Sequence, residues 1–338
     1  MIDNINEILN NFTSEFALDK NGQPSMEYFK YTRQLLNIAF ANFRNLEVRP
    51  YKKKIPLKRS IENALDFLGN LDEEYGTYLD YRLKDGTIEF IPFKQALENG
   101  ESLESYSTYD NGKRKIHIVY EENISDTFTI IHEILHDTNM LLPEDYNIET
   151  DYLFETRDMF TEMISFLGTY LAKKYFKEKY PNMKEIDKDL VEDYCGLYIK
   201  CLQTDFALDL LERFMQNGCI TTYDIYDILG DCSEQYVDIA YDYLKTMQEC
   251  NDAMIFYNER YITGTILADY IVNTEKNPKL AFMELNEMIT QYDVASIFNY
   301  LDLEPLFDEN DELIGLSDES LSKLNKTYKK EFKKVSWK

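Results

Sequence analysis

Residues 26–45, MEYFKYTRQLLNIAFANFRN, place apolar side chains three or four positions apart, and 60–76, SIENALDFLGNLDEEYG, repeat the pattern. Spacing near the helical period predicts an amphipathic helix over each stretch. Between 78 and 120 the rhythm changes. Two runs rich in β-branched and aromatic residues, YLDYRLKDGTIEFIPF and SYSTYDNGKRKIHIVY, each contain a turn dipeptide, Asp85-Gly86 and Asn111-Gly112. Both are predicted as hairpins, together a small antiparallel sheet of about four strands that ends in KIHIVY.

From Ser125 the helical period returns and persists. Ser125 or Asp126 can cap a helix that runs to about Met140, before Pro143 forbids continuation. A longer helix is predicted from near Ile148 to about Tyr180, where Pro181 stops it. Further helices follow at about 188–217, 221–230, 233–273 (in one piece or broken) and 279–290. The tail, 318–338, is basic relative to the rest and reads as a solvated helix. The predicted fold class is mainly α, an α+β arrangement in which a small antiparallel sheet precedes a helical domain. Along the chain this gives an N-terminal helical region (1–75), a central region (76–310) and a tail (311–338). Within the central region the sheet takes 77–120, two helices take 125–180, and a helical part takes 185–310.

Composition narrows the function classes. Of 338 residues, 44% are hydrophobic, which suits a globular chain with a sizeable core. The net charge of −26 is spread along the chain and should repel nucleic acid and anionic membrane. No stretch of the sequence is apolar enough for a transmembrane helix, and MIDNINEILNNF has no signal-peptide pattern. The five cysteines (Cys195, Cys201, Cys219, Cys232 and Cys250) form no CxxC pair and read as reduced thiols. These features together predict a cytoplasmic protein.

The chain has three histidines, and two of them stand four apart in IIHEILH, residues 130–136. His132, Glu133 and His136 form H-E-x-x-H. On a helix the two imidazoles share a face and can reach one ion, Zn2+, while Glu133 can act as general base toward a water. The third histidine, His117, lies on the KIHIVY strand and is not expected to close the site. A zinc site needs one more protein ligand. On the following helix Ile148, Tyr152, Glu155, Met159, Glu162 and Phe166 are spaced 4, 3, 4, 3, 4 and form one stripe. Two carboxylates on an apolar stripe call for a partner or a metal. Glu155, nearer the turn, is the expected third ligand. Glu162 is expected to accept a hydrogen bond from a ligand imidazole. Glu149 and Asp158, on other faces, are the alternatives.

These segments resemble a known family. ISDTFTIIHEILHD is similar to the motif helix of the thimet oligopeptidase and oligoendopeptidase F zinc peptidases. NIETDYLFETRDMFTE resembles their second ligand helix, where two glutamates lie seven apart; the first, here Glu155, aligns with the family's ligand. FYNERYITGTILADYIV (256–272) resembles the family's Tyr-rich segment, with weaker likeness over 205–229. The resemblance covers roughly 115–305. It implies a mostly helical zincin-like fold, one zinc ion, and hydrolysis of short unfolded oligopeptides. It also implies an edge strand near 114–120 that holds substrate by strand addition, and Tyr257 and Tyr261 as donors to the oxyanion. The sequence departs from the family in three places. Leu135 stands where glycine is usual, no histidine follows His136, and one tyrosine position falls on Glu259. Clostridial neurotoxin light chains carry a similar motif helix, so a protease with one protein target is an alternative. A non-catalytic peptide-binding protein on a zincin scaffold is another.

Overall fold

The computed structural model describes residues 2–16, 25–42, 50–51, 53–110, 113–139, 151–230, 232–290, 294–308 and 313–335. Predicted Pro143, the start of the helix expected from Ile148, and the Asn111-Gly112 turn lie outside them. The fold is mainly α, as the pattern predicts: fourteen α-helices and two small sheets among the described residues. The chain forms two compact units. One contains residues 1–45, 194–263 and 298–336; the other contains 46–193 and 264–297.

In the first unit, α1 (Ile2–Phe16) buries Ile5, Ile8, Leu9 and Phe12. It packs on α10 (Glu234–Cys250), whose Tyr243, Leu244 and Met247 are equally buried. Asn6 fixes the chain near residue 220 by two hydrogen bonds, donating to the Ile220 carbonyl (2.9 Å) and accepting from its N–H (2.6 Å). Helix α9 (Thr222–Leu229) begins with a reciprocal cap between Thr221 and Asp224, which satisfies N–H groups that a helix start leaves unpaired. The hairpin β4 (Pro305–Phe307) and β5 (Leu313–Leu316) packs against α2 (Lys30–Asn42). The tail is helical over Asp318–Val335 (α14) and is not wholly solvated. Leu324 and Tyr328 are fully buried, and the helix packs on α2.

The second unit begins with α3 (Leu57–Leu71) and α4 (Glu73–Asp85). The second of these corrects the sequence reading, because 73–85 is a helix and not the first arm of a hairpin. Asp72 caps it by accepting from the Glu74 N–H, and Gly86 ends it at φ +75°. An Asp-Gly dipeptide serves a hairpin turn and a helix C-terminus equally well, since both need a left-handed residue. Leu79 and Arg82 turn inward at helical spacing, so tertiary burial decided between the two.

The sheet that follows has three strands, β1 (Ile88–Pro92), β2 (Tyr106–Asp110) and β3 (Lys113–Tyr120), in the order β1-β3-β2. The β2–β3 hairpin pairs antiparallel as predicted, with Tyr106 opposite His117. β1 instead pairs parallel to β3, with Ile88 opposite Ile116, after a connection through α5 (Phe93–Asn99). The sheet is therefore mixed, not antiparallel. β3 is its central strand and is paired on both sides, so it is not the edge expected near 114–120. β1 and β2 form the edges.

Helix α6 (Ser125–Asn139) starts where Asn123 Oδ1 accepts the Ser125 N–H (2.7 Å). The Asp126 carboxylate reaches back to the N–H groups of Glu121 and Asn123, tying the end of β3 to the helix. α6 packs on α3, on β2 and β3, and on α7 (Asp151–Lys179). α7 packs in turn on α12 (Pro278–Thr290). Along α7, buried Lys173 pairs with Asp189 (2.6 Å) and with Asp193, its ammonium lying over the ring of Phe128. Asp189 and Asp193 open α8 (Glu185–Asn217).

Candidate functional site

α6 is buried on nearly every side. Phe128, Ile130, Ile131, Ile134 and Leu135 are all buried, which leaves the His132–His136 edge as its partly open face. Those two side chains retain 14% and 11% exposure, enough to be reached from outside, while Glu162 on α7 retains 4%. The imidazole Nε2 atoms lie 3.0 Å apart. Glu162 Oε2 lies 3.1 Å from His136 Nε2 and 3.5 Å from His132 Nε2. Three ligand atoms of the right kind thus converge from two helices of one unit.

The spacing fits a tetrahedral ion. Nitrogen and oxygen ligands bind zinc at about 2.0–2.1 Å, so a tetrahedron's edges measure about 3.3–3.4 Å. The three observed separations, 3.0, 3.1 and 3.5 Å, bracket that length. Burial alone would raise the Glu162 carboxyl pKa. The facing imidazoles override burial and hold it well below the usual carboxylate range, so Glu162 stands ready as an anion.

Two glycines let the helices approach this closely. A Cβ at Gly168 on α7 would overlap the Leu135 side chain, so Leu135 fills the space that the glycine leaves. A Cβ at Gly264, on α11 (Ile255–Thr274), would come within 2.8 Å of Glu162 Cβ and 2.9 Å of the Met163 nitrogen. That helix passes against the backbone that carries Glu162. Phe166, one turn beyond Glu162, meets the His132 ring edge to face at 4.8 Å.

The residue after the second histidine anchors α6. Asp137 is fully buried and accepts from Tyr78 (2.5 Å) and Arg82 (2.9 Å) of α4. Arg114 of β3 donates to its carbonyl oxygen (2.7 Å). Glu133 is buried on the sheet side, where the Ser107 hydroxyl of β2 lies 3.0 Å from its Oε2 and 3.0 Å from its main-chain oxygen.

Of the residues expected from sequence, His132, Glu133, His136 and Glu162 gather in the second unit. The Glu155 side chain lies outside the described residues. His117 is buried in β3, stacked on Tyr106 at 4.8 Å. Tyr257 and Tyr261 belong to the first unit, their hydroxyls 3.4 Å apart. The Lys200 ammonium lies 4.2 Å from the Tyr261 ring centroid, and the Arg260 guanidinium 4.2 Å from that of Tyr257. Glu259 accepts from Thr32 at 2.8 Å. Ser107, Asp137 and the two glycines were not singled out from the sequence. A glycine inside a helical run was the available signal for Gly168 and Gly264.

No family profile matches the chain, and no curated protein sequence matches it. Solved structures do. A structure assigned as oligoendopeptidase F from Bacillus anthracis aligns over 98% of this chain with a TM-score of 0.55 at 12% identity. A PZ peptidase A solved with an inhibitor aligns over 98% with a TM-score of 0.56 at 14% identity. The fold is that of these chains. A structure assigned as a peptidase from Chlamydophila abortus agrees, with a TM-score of 0.53 over 99% at 15% identity. The chain spans 56–59% of the length of those three chains.

Proposed function

We propose that the chain is a zinc-dependent peptidase that hydrolyses short unfolded peptides. The observation that carries the reading is the convergence of His132, His136 and Glu162 at the edge lengths of a zinc tetrahedron, beside a buried Glu133. The fold shared with peptidase structures supports it. In this reading Glu162 takes the ligand role that the family resemblance assigns to Glu155. Zinc, when bound there, would polarise the scissile carbonyl and acidify a water molecule.

The residues' own work follows from their placement. The Nε2 atoms of His132 and His136 and the Glu162 carboxylate are the groups that would hold the ion. Glu133 takes a proton from the attacking water and returns it to the departing amine. Tyr257 and Tyr261 enter the proposal as oxyanion donors on the resemblance alone.

The test is a zinc titration. Wild type should bind one ion per chain, and Glu162→Gln should lose at least about 100-fold in affinity. Glu155→Gln should bind as wild type does. The reverse pattern would return the ligand role to Glu155, and a wild type that binds no zinc would remove the metal reading.

A further inference from the structure

We propose that Ser107 is a positioning residue for Glu133, holding its side chain in one orientation from the edge strand β2. The inference rests on the peptidase reading above. Ser107 lies on β2, an edge strand, and its hydroxyl is equidistant from two oxygens of one residue. Glu133 Oε2 and the Glu133 main-chain oxygen are each 3.0 Å away. A hydroxyl has one hydrogen and two lone pairs, so it can serve one acceptor at a time while accepting from another donor.

With Glu133 ionised, the hydroxyl donates to Oε2. That bond fixes the carboxylate's rotamer and partly offsets the burial of its charge. The second contact, to the Glu133 main-chain oxygen, keeps the same hydroxyl against the helix that carries the base. An apolar side chain at 107 would leave Oε2 without this donor. The same contact ties the edge strand to the base, so any motion of β2 would be felt at Glu133.

The experiment compares wild type with Ser107→Ala and Ser107→Thr, reading kcat, KM and zinc affinity on a peptide that wild type cleaves. Ser107→Ala should lower kcat by about tenfold to a hundredfold, the span of one hydrogen bond to a charged group. KM and zinc affinity should not change, and Ser107→Thr should recover most of kcat. Undiminished turnover by Ser107→Ala overturns the inference. So does a loss of zinc affinity in step with activity, or failure of threonine to restore kcat, since either marks a merely structural contact. A wild type that binds zinc and cleaves no peptide overturns the peptidase reading and this inference with it. An active wild type with an active Ser107→Ala overturns this inference alone.

Discussion

Asp126 shows how much a single carboxyl is asked to do at the head of the motif helix. It is buried and accepts N–H groups of the loop that leads from β3 into α6. Burial outweighs those hydrogen bonds and pushes its pKa from 3.8 up to about 6. Between those values the folded protein keeps a proton that the unfolded chain has lost, so stability falls as pH rises through the window and is flat above it. Moving from pH 7 to pH 5 should stabilise wild type through this group by about 1.4 kcal/mol, out of about 3 kcal/mol for the full shift. Asp126→Asn should lack that gain. Asp193 and Asp205, raised in the same direction, are common to both proteins and cancel in the comparison. Urea unfolding of both proteins at the two pH values checks this, and equal pH dependence would contradict it. At this scale the sequence carried His132, Glu133 and His136 plainly, because a four-residue spacing on one helix is a local fact. The choice between Glu155 and Glu162 was not local. Both lie on one stripe, and which of them meets the imidazoles depends on how far α7 slides along α6.

Elements divide along the same line between local and long-range information. The long helices were legible because an apolar period sustained over many residues has one interpretation. α4 was not, since tyrosines and leucines between polar residues satisfy a strand's alternation as well as a helix face, and Asp85-Gly86 suits either ending. What settled it lies elsewhere in the chain, in Asp137 of α6, which accepts both Tyr78 and Arg82. Leu135 reads differently once the helices are paired. In the sequence it stands where the resembling family has glycine; in the fold it occupies the space over Gly168. The small residue is on the opposite helix, and the helices still approach closely. Gly168→Ala should therefore separate α6 from α7, destabilise by about 1–3 kcal/mol through overpacking, and weaken zinc binding. Adding Leu135→Ala should restore zinc affinity even if some stability stays lost. Zinc titration of the single and double variants reads the coupling. A Gly168→Ala protein with wild-type affinity, or a double variant no better than the single, would contradict the account.

For the whole molecule, the sequence conveyed the class of fold more readily than its grouping. Periodicity forecast a mainly helical chain with a small sheet before the motif helix. It could not forecast that β1 runs parallel to β3, because strand direction follows from the crossover. Nor could it forecast that each compact unit is assembled from separated stretches, since such grouping is set by contacts between distant residues. The three candidate ligands and Glu133 nevertheless fall within one unit, so the proposed metal binding and base role rest on residues of that unit. The most direct measurement is mass spectrometry of a mixed peptide pool incubated with zinc-loaded wild type and, in parallel, with Glu133→Gln. The account predicts cleavage of internal bonds by wild type, and loss of that cleavage in a variant that still binds zinc. Cleavage that survives Glu133→Gln would contradict Glu133 as the base. Intact peptides under a zinc-loaded wild type would contradict the peptidase reading and favour a peptide-binding protein or a protease with one protein target.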